Sequence, residues 1–145
     1  MNELLRDFGR TIGILDLSFD EHHYCCLLLD DIVLNLELEE EKETLFLYAH
    51  LGALPREAST DFYASLLEGN FFHRQTAGGV LGMEKASGIL VLAHRWPYAN
   101  LTLNTLEKLI ENFTNAAEYW SRQIAEVGTL PHSATSFEMM QYSRA

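Results

Sequence analysis

Residues 15–51 read LDLSFDEHHYCCLLLDDIVLNLELEEEKETLFLYAHL, and apolar side chains recur at almost every second position of this stretch. A period of two is typical of β-strands, and polar breaks at intervals of about eight to twelve residues are typical of an antiparallel meander. We predict strands at Leu15–Phe19, Tyr24–Leu29, Ile32–Glu39 and Thr44–Leu51. Asp30-Asp31 is short enough for a two-residue hairpin turn.

The alternation leaves apolar residues on both faces of the predicted sheet. Val33, Phe46 and Tyr48 fall on the opposite side from the main set, and we place Cys25, Leu27 and Leu29 with them. One apolar face is enough to hold a small sheet on its core. The second face is therefore expected to be covered or to bind a partner.

The rest of the chain predicts three helices and one further hairpin. The helices run from Asn2 to about Ile12, from Ser59 to Gly69, and from an Asn104 cap to about Glu126; in the last, Glu107 would complete a capping box. The hairpin comprises Val80–Glu84 and Ile89–Arg95. The element order is thus α-β-β-β-β-α-β-β-α, and the short turns indicate an α+β fold with antiparallel pairing. We expect one domain over residues 1–127 and a flexible tail over 128–145.

Composition limits the classes of partner. The net charge of −11 disfavours nucleic acid and anionic membranes, because both are negatively charged. No apolar run approaches the roughly 18 residues that a membrane span needs, and no secretory signal is visible at the N-terminus. Cys25 and Cys26 are adjacent, so strand geometry directs them to opposite faces; we expect free thiols in a reducing cytoplasm.

No residue pattern makes a positive case for catalysis. His22-His23 lies beside acidic residues, but zinc needs three or four converging ligands, so a solvated turn is favoured. The acidic residues of 37–43 lack the glycine of a calcium loop, and glycine-rich 78–82 lacks the Lys-Ser/Thr pair of a phosphate loop. We therefore expect no catalytic residue, no metal and no cofactor.

The short second helix leaves two interpretations open. It carries Phe62, Tyr63, Leu66 and Leu67, and residues 71–72 add two phenylalanines. Ordinary core packing explains this apolar surface, and so does a subunit interface rich in aromatic residues.

Several local motifs, in their order and spacing, resemble the class I chaperones of bacterial type III secretion, the Tir-chaperone-like family. The likeness extends over about residues 3–126. The motifs are LLRDFGRTIG at 4–13, LSFDE at 17–21, LLEGNF at 66–71, GME at 82–84, SGILVL at 87–92 and RWP at 95–97.

The resemblance implies a homodimer in the bacterial cytoplasm that binds the N-terminal segment of one or more secreted effectors in extended form, without nucleotide or metal. It places the dimer contact on Phe62, Leu66 and Leu67. It places effector grooves on Leu4, Phe8 and Ile12, with Leu17, Phe19, Leu34 and Leu36 as further candidates. Docking of the secretion ATPase stays open. The alternatives are a chaperone-fold protein that sequesters a regulator of secretion genes, and an uncharacterised small-molecule enzyme.

Overall fold

The computed structural model describes residues 1–129. Three helices and five strands follow one another along the chain, with short 3₁₀ turns at Glu40–Lys42 and Phe71–His73. The elements are α1 Asn2–Thr11, β1 Tyr24–Leu29, β2 Ile32–Glu39, β3 Thr44–Ala53, α2 Thr60–Asn70, β4 Val80–Met83, β5 Ile89–Pro97 and α3 Leu103–Thr129. The predicted α+β class and antiparallel pairing are confirmed.

The five strands form one antiparallel sheet in the order β1-β2-β3-β5-β4. Leu27 pairs with Leu34, and both side chains lie on the buried face of the sheet. Our placement of Cys25, Leu27 and Leu29 with Val33 was therefore wrong. The tight turn between β1 and β2 sets the register, and a shift of one residue in that register exchanges the two faces. Asp30 adopts a left-handed φ of 52° in the turn, as a two-residue hairpin requires.

Helix α3 packs across the buried face of the sheet. The helical spacing of its apolar residues predicts one stripe, and every member of that stripe is buried: Leu106, Leu109, Ile110, Phe113, Ala117, Trp120 and Ile124. Gly69 of α2 lies against the Trp120 ring so closely that an added Cβ would be 2.3 Å from Trp120 Cζ2. The indole N–H donates to the Gln75 carbonyl at 2.8 Å. Through these two contacts, Trp120 of α3 packs against α2 and bonds to the loop that follows α2.

The first predicted strand, Leu15–Phe19, is not a strand. Asp16 has a φ of 59°, which breaks the extended backbone. The segment instead packs on α1, where Gly9 leaves room: a Cβ there would be 2.7 Å from Leu17 Cβ. The Phe19 N–H donates to Asn2 Oδ1 at 2.9 Å rather than to a neighbouring strand. The alternation of apolar residues reflects two buried side chains, Leu17 and Phe19, in an irregular segment.

The ends of the second and third helices test the capping predictions. The sequence offers Ser59 or Thr60 as the cap of α2; Ser59 is the cap, and its hydroxyl accepts from the Phe62 N–H at 3.2 Å. The Asn104 cap was wrong, because Thr102 caps α3 and its hydroxyl accepts from the Thr105 N–H at 3.2 Å. Helix α3 also continues through Gly128 to Thr129. The rest of the predicted flexible tail, 130–145, lies outside the described residues.

Candidate functional site

Three of the sequence-predicted groove residues form a row along α1. Leu4, Phe8 and Ile12 are spaced four residues apart, so they share one side of the helix. Leu4 lines an open cleft of about 460 Å³, which Met1, Tyr98 and Leu101 complete. Phe8 and Ile12 line a second cleft of about 600 Å³. Phe8 is buried, whereas Ile12 is 39% exposed and is therefore available to a partner.

The second cleft lies between α1, the β1–β2 turn and α3, and we name it the α1–α3 cleft. Its apolar wall consists of Phe8, Ile12, Leu29 and Ile110, and its polar residues are Thr11, Asp30, Glu107, Glu111, Thr114 and Asn115. Thr114 is only 7% exposed, and its hydroxyl has no hydrogen-bond partner in the part of the chain that the structure describes. The cleft thus combines apolar contact area with polar groups, of which the Thr11 hydroxyl already donates to the Phe8 carbonyl at 2.8 Å.

Strand β1 lies at one end of the sheet, so within the described residues one of its edges has no strand beside it. Tyr24 directs its N–H and C=O away from β2, because both bond to Asp20. Backbone groups alternate between the two edges of a strand, so those of Cys26 and Leu28 also point outward. Leu29, in contrast, lies on the helix side and lines the α1–α3 cleft. An open strand edge and an apolar cleft therefore lie side by side.

The other four predicted groove residues line neither cleft. Leu34 and Leu36 are 0% exposed beneath the helices, and Leu17 and Phe19 are buried against α1. A partner cannot reach these side chains in the described chain. The sequence pattern could not show this, because it did not reveal which sheet face α3 covers.

Helix α2 and the 3₁₀ turn that follows it carry an exposed apolar ridge, which we call the α2 ridge and define as Tyr63, Leu67, Phe71 and Phe72. The three residues predicted for a dimer contact divide between two environments. Leu67 is 72% exposed on the ridge, whereas Leu66 is buried and Phe62 packs against the same core. Phe72 has a left-handed φ of 52°, and its ring lies 4.3 Å from that of Phe71. A positive φ is uncommon at a bulky non-glycine residue, and His73 and Ala77 of the same loop share it.

The outward face of the sheet holds an ordered polar and aromatic network. The guanidinium of Arg95 bonds both carboxylate oxygens of Glu39, at 2.7 and 3.3 Å, and lies 4.0 Å from the centre of the Phe46 ring. These hydrogen bonds from Arg95, with others from Lys42 and Thr44, lower the pKa of Glu39 to about 2. Burial and a hydrogen bond to Glu37 raise the pKa of Tyr48 to about 12. This face is consequently more polar than the strand pattern alone indicates.

The residues considered for metal binding or catalysis lie apart. Within residues 1–129, no three His, Cys, Asp or Glu side chains converge in a way that would hold a metal ion. His22 and His23 lie near different carboxylates, Glu21 and Glu40, at 3.6 and 3.7 Å. Cys25 is buried, which raises the pKa of its thiol to about 11, and Cys26 is exposed on the opposite face. In the same part of the chain, no helix is both long and apolar enough to span a membrane.

Sequence reasoning missed most of the α3 side of the cleft. Glu107, Glu111 and Thr114 are spaced i, i+4 and i+7, so they form one ridge that borders the apolar stripe. A threonine beside a continuous apolar stripe is the signal that could have identified this ridge. Its position opposite α1, however, follows only from the packing of the two helices.

The model of the Tir chaperone protein (CesT) family matches residues 3–121. The chain belongs to this family. The matched residues include α1, the whole sheet and α2, and they extend through all of α3 that lines the α1–α3 cleft.

The similar proteins include one named as a chaperone and one named as a transcriptional regulator. The Tir chaperone of Citrobacter freundii is 30% identical over 115 residues, which are 79% of this chain and 73% of that protein. The transcriptional anti-antiactivator ExsC of Pseudomonas aeruginosa is 30% identical over 123 residues, or 84% and 83% of the two chains. A chain of the ExsC–ExsE complex has a TM-score of 0.69 at 29% identity and covers 85% of this chain and 92% of its own. A chain of the HopA1–SchA chaperone–effector complex has a TM-score of 0.65 at 26% identity, covering 86% and 91%.

Proposed function

We propose that this protein is a type III secretion chaperone that binds the N-terminal segment of one or more effectors in extended form and keeps them soluble and competent for secretion. The observation that carries the proposal is the open edge of β1 beside the α1–α3 cleft. CesT family membership and the likeness to a chaperone–effector complex support it. The role needs no catalytic group, and we assign none.

The geometry suggests how an unfolded segment binds. An extended segment placed along β1 pairs with the outward backbone groups of Cys26 and Leu28, which tolerate almost any client sequence. Alternate client side chains then point to the helix side of the sheet, where Ile12 and Leu29 offer apolar contact. Backbone pairing thus supplies general affinity, and the cleft supplies preference for an apolar side chain.

A proline substitution tests the edge directly. Leu28→Pro removes an outward N–H but no hydrogen bond to β2, so the fold should persist, since edge strands tolerate proline. Leu28→Thr is the matched control, because it changes the same exposed side chain and keeps the N–H. Tagged variants are purified from a secreting bacterium, and co-purifying proteins are identified by mass spectrometry. Client recovery should fall for the proline variant alone. Equal recovery with all variants would exclude the β1 edge from binding.

The protein also acts as a homodimer in this proposal, and the α2 ridge forms the contact. Exposed Leu67, Phe71 and Phe72 form a continuous apolar patch, and aromatic residues are enriched in protein interfaces. Val80 and Met83 of the edge strand β4 are also exposed, although their spacing of three residues directs them to opposite faces of the sheet. Their position at the sheet edge opposite β1 leaves the α1–α3 cleft open in each copy. The assembly is expected in the bacterial cytoplasm, where effectors are synthesised.

A second function is supported by the similarity to ExsC, whose name describes a regulator of transcription. A protein with the same cleft could sequester a secretion regulator instead of an effector. The co-purification experiment separates the two roles. A partner that is itself secreted through its N-terminal segment supports the chaperone role. A partner that stays in the cell and changes the expression of secretion genes supports the regulatory role.

A further inference from the structure

The rim of the α1–α3 cleft carries negative charge that no cation of the described chain neutralises. Asp30, Glu107 and Glu111 line the cleft, and none of them forms an ion pair within residues 1–129. Two cations are bonded to cleft residues along the chain, and neither pairs with these carboxylates. Arg10, which precedes Thr11, pairs with Asp7 at 2.7 Å, and Lys108, which follows Glu107, forms no ion pair within residues 1–129.

The arrangement on α3 is unfavourable for the helix itself. Glu107 and Glu111 are an i,i+4 pair of like charges, which destabilises a helix slightly. A bound cation would relieve this repulsion. Thr114, one turn further along the same ridge, lines the cleft and is an independent sign of a ligand, because its buried hydroxyl has no hydrogen-bond partner within residues 1–129. Buried polar groups of this kind are rare unless a ligand or water satisfies them.

We infer that the α1–α3 cleft selects client segments in which an apolar side chain is followed or preceded, two positions away, by lysine or arginine. This inference rests on the proposed function and specifies the chemistry of the client. Side chains at i and i+2 of an added strand face the same side and lie about 6–7 Å apart. The apolar side chain contacts Ile12 and Leu29. The basic side chain extends to the three carboxylates, and the Thr114 hydroxyl accepts a hydrogen bond from the bound segment.

Two labelled peptides test this selectivity. Each is about twelve residues long, enough for a strand with flanks, and has a central isoleucine, threonine and a third residue that is lysine in one peptide and glutamine in the other. Fluorescence anisotropy at low salt should show about tenfold tighter binding of the lysine peptide to the unmodified protein, since three weak charge contacts together reach that factor. In 1 M salt the preference for the lysine peptide should disappear, because the Debye length falls to about 3 Å and the charge contacts are screened.

Variants distinguish the effect of the three rim carboxylates, Asp30, Glu107 and Glu111, from the effect of the protein's net charge. Asp30→Asn/Glu107→Gln/Glu111→Gln should bind both peptides equally. The control Glu41→Gln/Glu43→Gln/Glu84→Gln removes three charges that do not line the cleft and should keep the preference. Thr114→Val should weaken the binding of both peptides by about three- to tenfold, and unchanged affinity would show that Thr114 does not contact the peptide.

The remaining outcomes distinguish this inference from the proposed function. Equal binding of both peptides to the unmodified protein, with binding lost in Ile12→Asp, refutes the charge preference and leaves the cleft as the client site. Loss of preference in the control variant shows that net charge alone attracts the peptide, and this also refutes the rim. Failure of both peptides to bind, or full binding by Ile12→Asp, contradicts both the charge preference of the rim and the assignment of the cleft as the client site.

Discussion

Leu67→Asp should dissociate the proposed dimer while leaving each subunit folded. Leu67 is 72% exposed on the α2 ridge, so the folded subunit does not depend on it. Complete burial of a leucine side chain contributes about 1.5–3 kcal/mol, so covering the exposed part contributes about 1–2 kcal/mol per copy. Two copies in a symmetric contact lose about 2–4 kcal/mol, which raises the dimer dissociation constant about 30- to 1000-fold before any cost of burying the new charge.

Sedimentation equilibrium over a range of concentrations measures this change, and circular dichroism checks the fold. Leu15→Asp is the matched control, because Leu15 is 80% exposed and lies outside the ridge, so its dimer should be unchanged. Leu66→Asp should instead unfold the subunit, since Leu66 is in the subunit's own core. An unaltered dissociation constant for Leu67→Asp would refute the assignment of the ridge as the dimer contact.

Three further predictions concern the folded subunit. Gly69→Ala should lower the free energy of unfolding by about 1–3 kcal/mol, because the added Cβ would overlap Trp120. The control Gly128→Ala, with no neighbour within 4 Å of the added Cβ, should raise it by up to about 1 kcal/mol. Urea denaturation followed by tryptophan fluorescence compares the two variants, and equal effects would contradict the packing of Gly69 on Trp120. Thr114→Val should raise the free energy of unfolding by about 1 kcal/mol, because it removes an unpaired buried hydroxyl, and a loss of stability would indicate a hydrogen bond that the structure lacks. The lowered pKa of Glu39 gives a stabilisation that is fully present above the ordinary glutamate pKa of 4.5 and is lost as the pH falls towards about 2. Arg95→Gln should therefore reduce stability at pH 7 and flatten the dependence of stability on pH between 4.5 and 2. An unchanged acid denaturation profile would exclude the Arg95–Glu39 pair as the source of this dependence.

The local elements could be predicted because their signals lie close together in the sequence. The period-two residues of β2 and β3, the tight turn at Asp30 and the Ser59 cap each depend on neighbours a few positions away. The errors arose where a distant contact decided the outcome. Leu17 and Phe19 show the alternation of a strand, yet Gly9 of α1 receives the segment and no strand forms. Thr102 caps α3 in place of Asn104, although both are good capping residues.

The candidate site was predictable in part for the same reason. Helical spacing puts Leu4, Phe8 and Ile12 in one row, the family resemblance assigns that row to a groove, and the structure places all three beside clefts. The resemblance also implied a groove at Leu34 and Leu36, and the hydrophobic pattern could not correct this because it does not tell which face of the sheet is covered. The acidic rim and Thr114 were missed because α3 and the β1–β2 turn are about eighty residues apart in the chain.

The sequence by itself determined the family, the α+β class and the absence of a recognisable catalytic motif, because short motifs and hydrophobic periodicity are local properties of the chain. Only the tertiary structure decided which apolar residues are surface and which are core. Leu66 and Leu67 are neighbours in sequence, yet one is buried and the other forms the exposed ridge. Their roles differ because burial depends on how α2 packs on the rest of the fold, and that packing is the sum of contacts between residues far apart in the sequence.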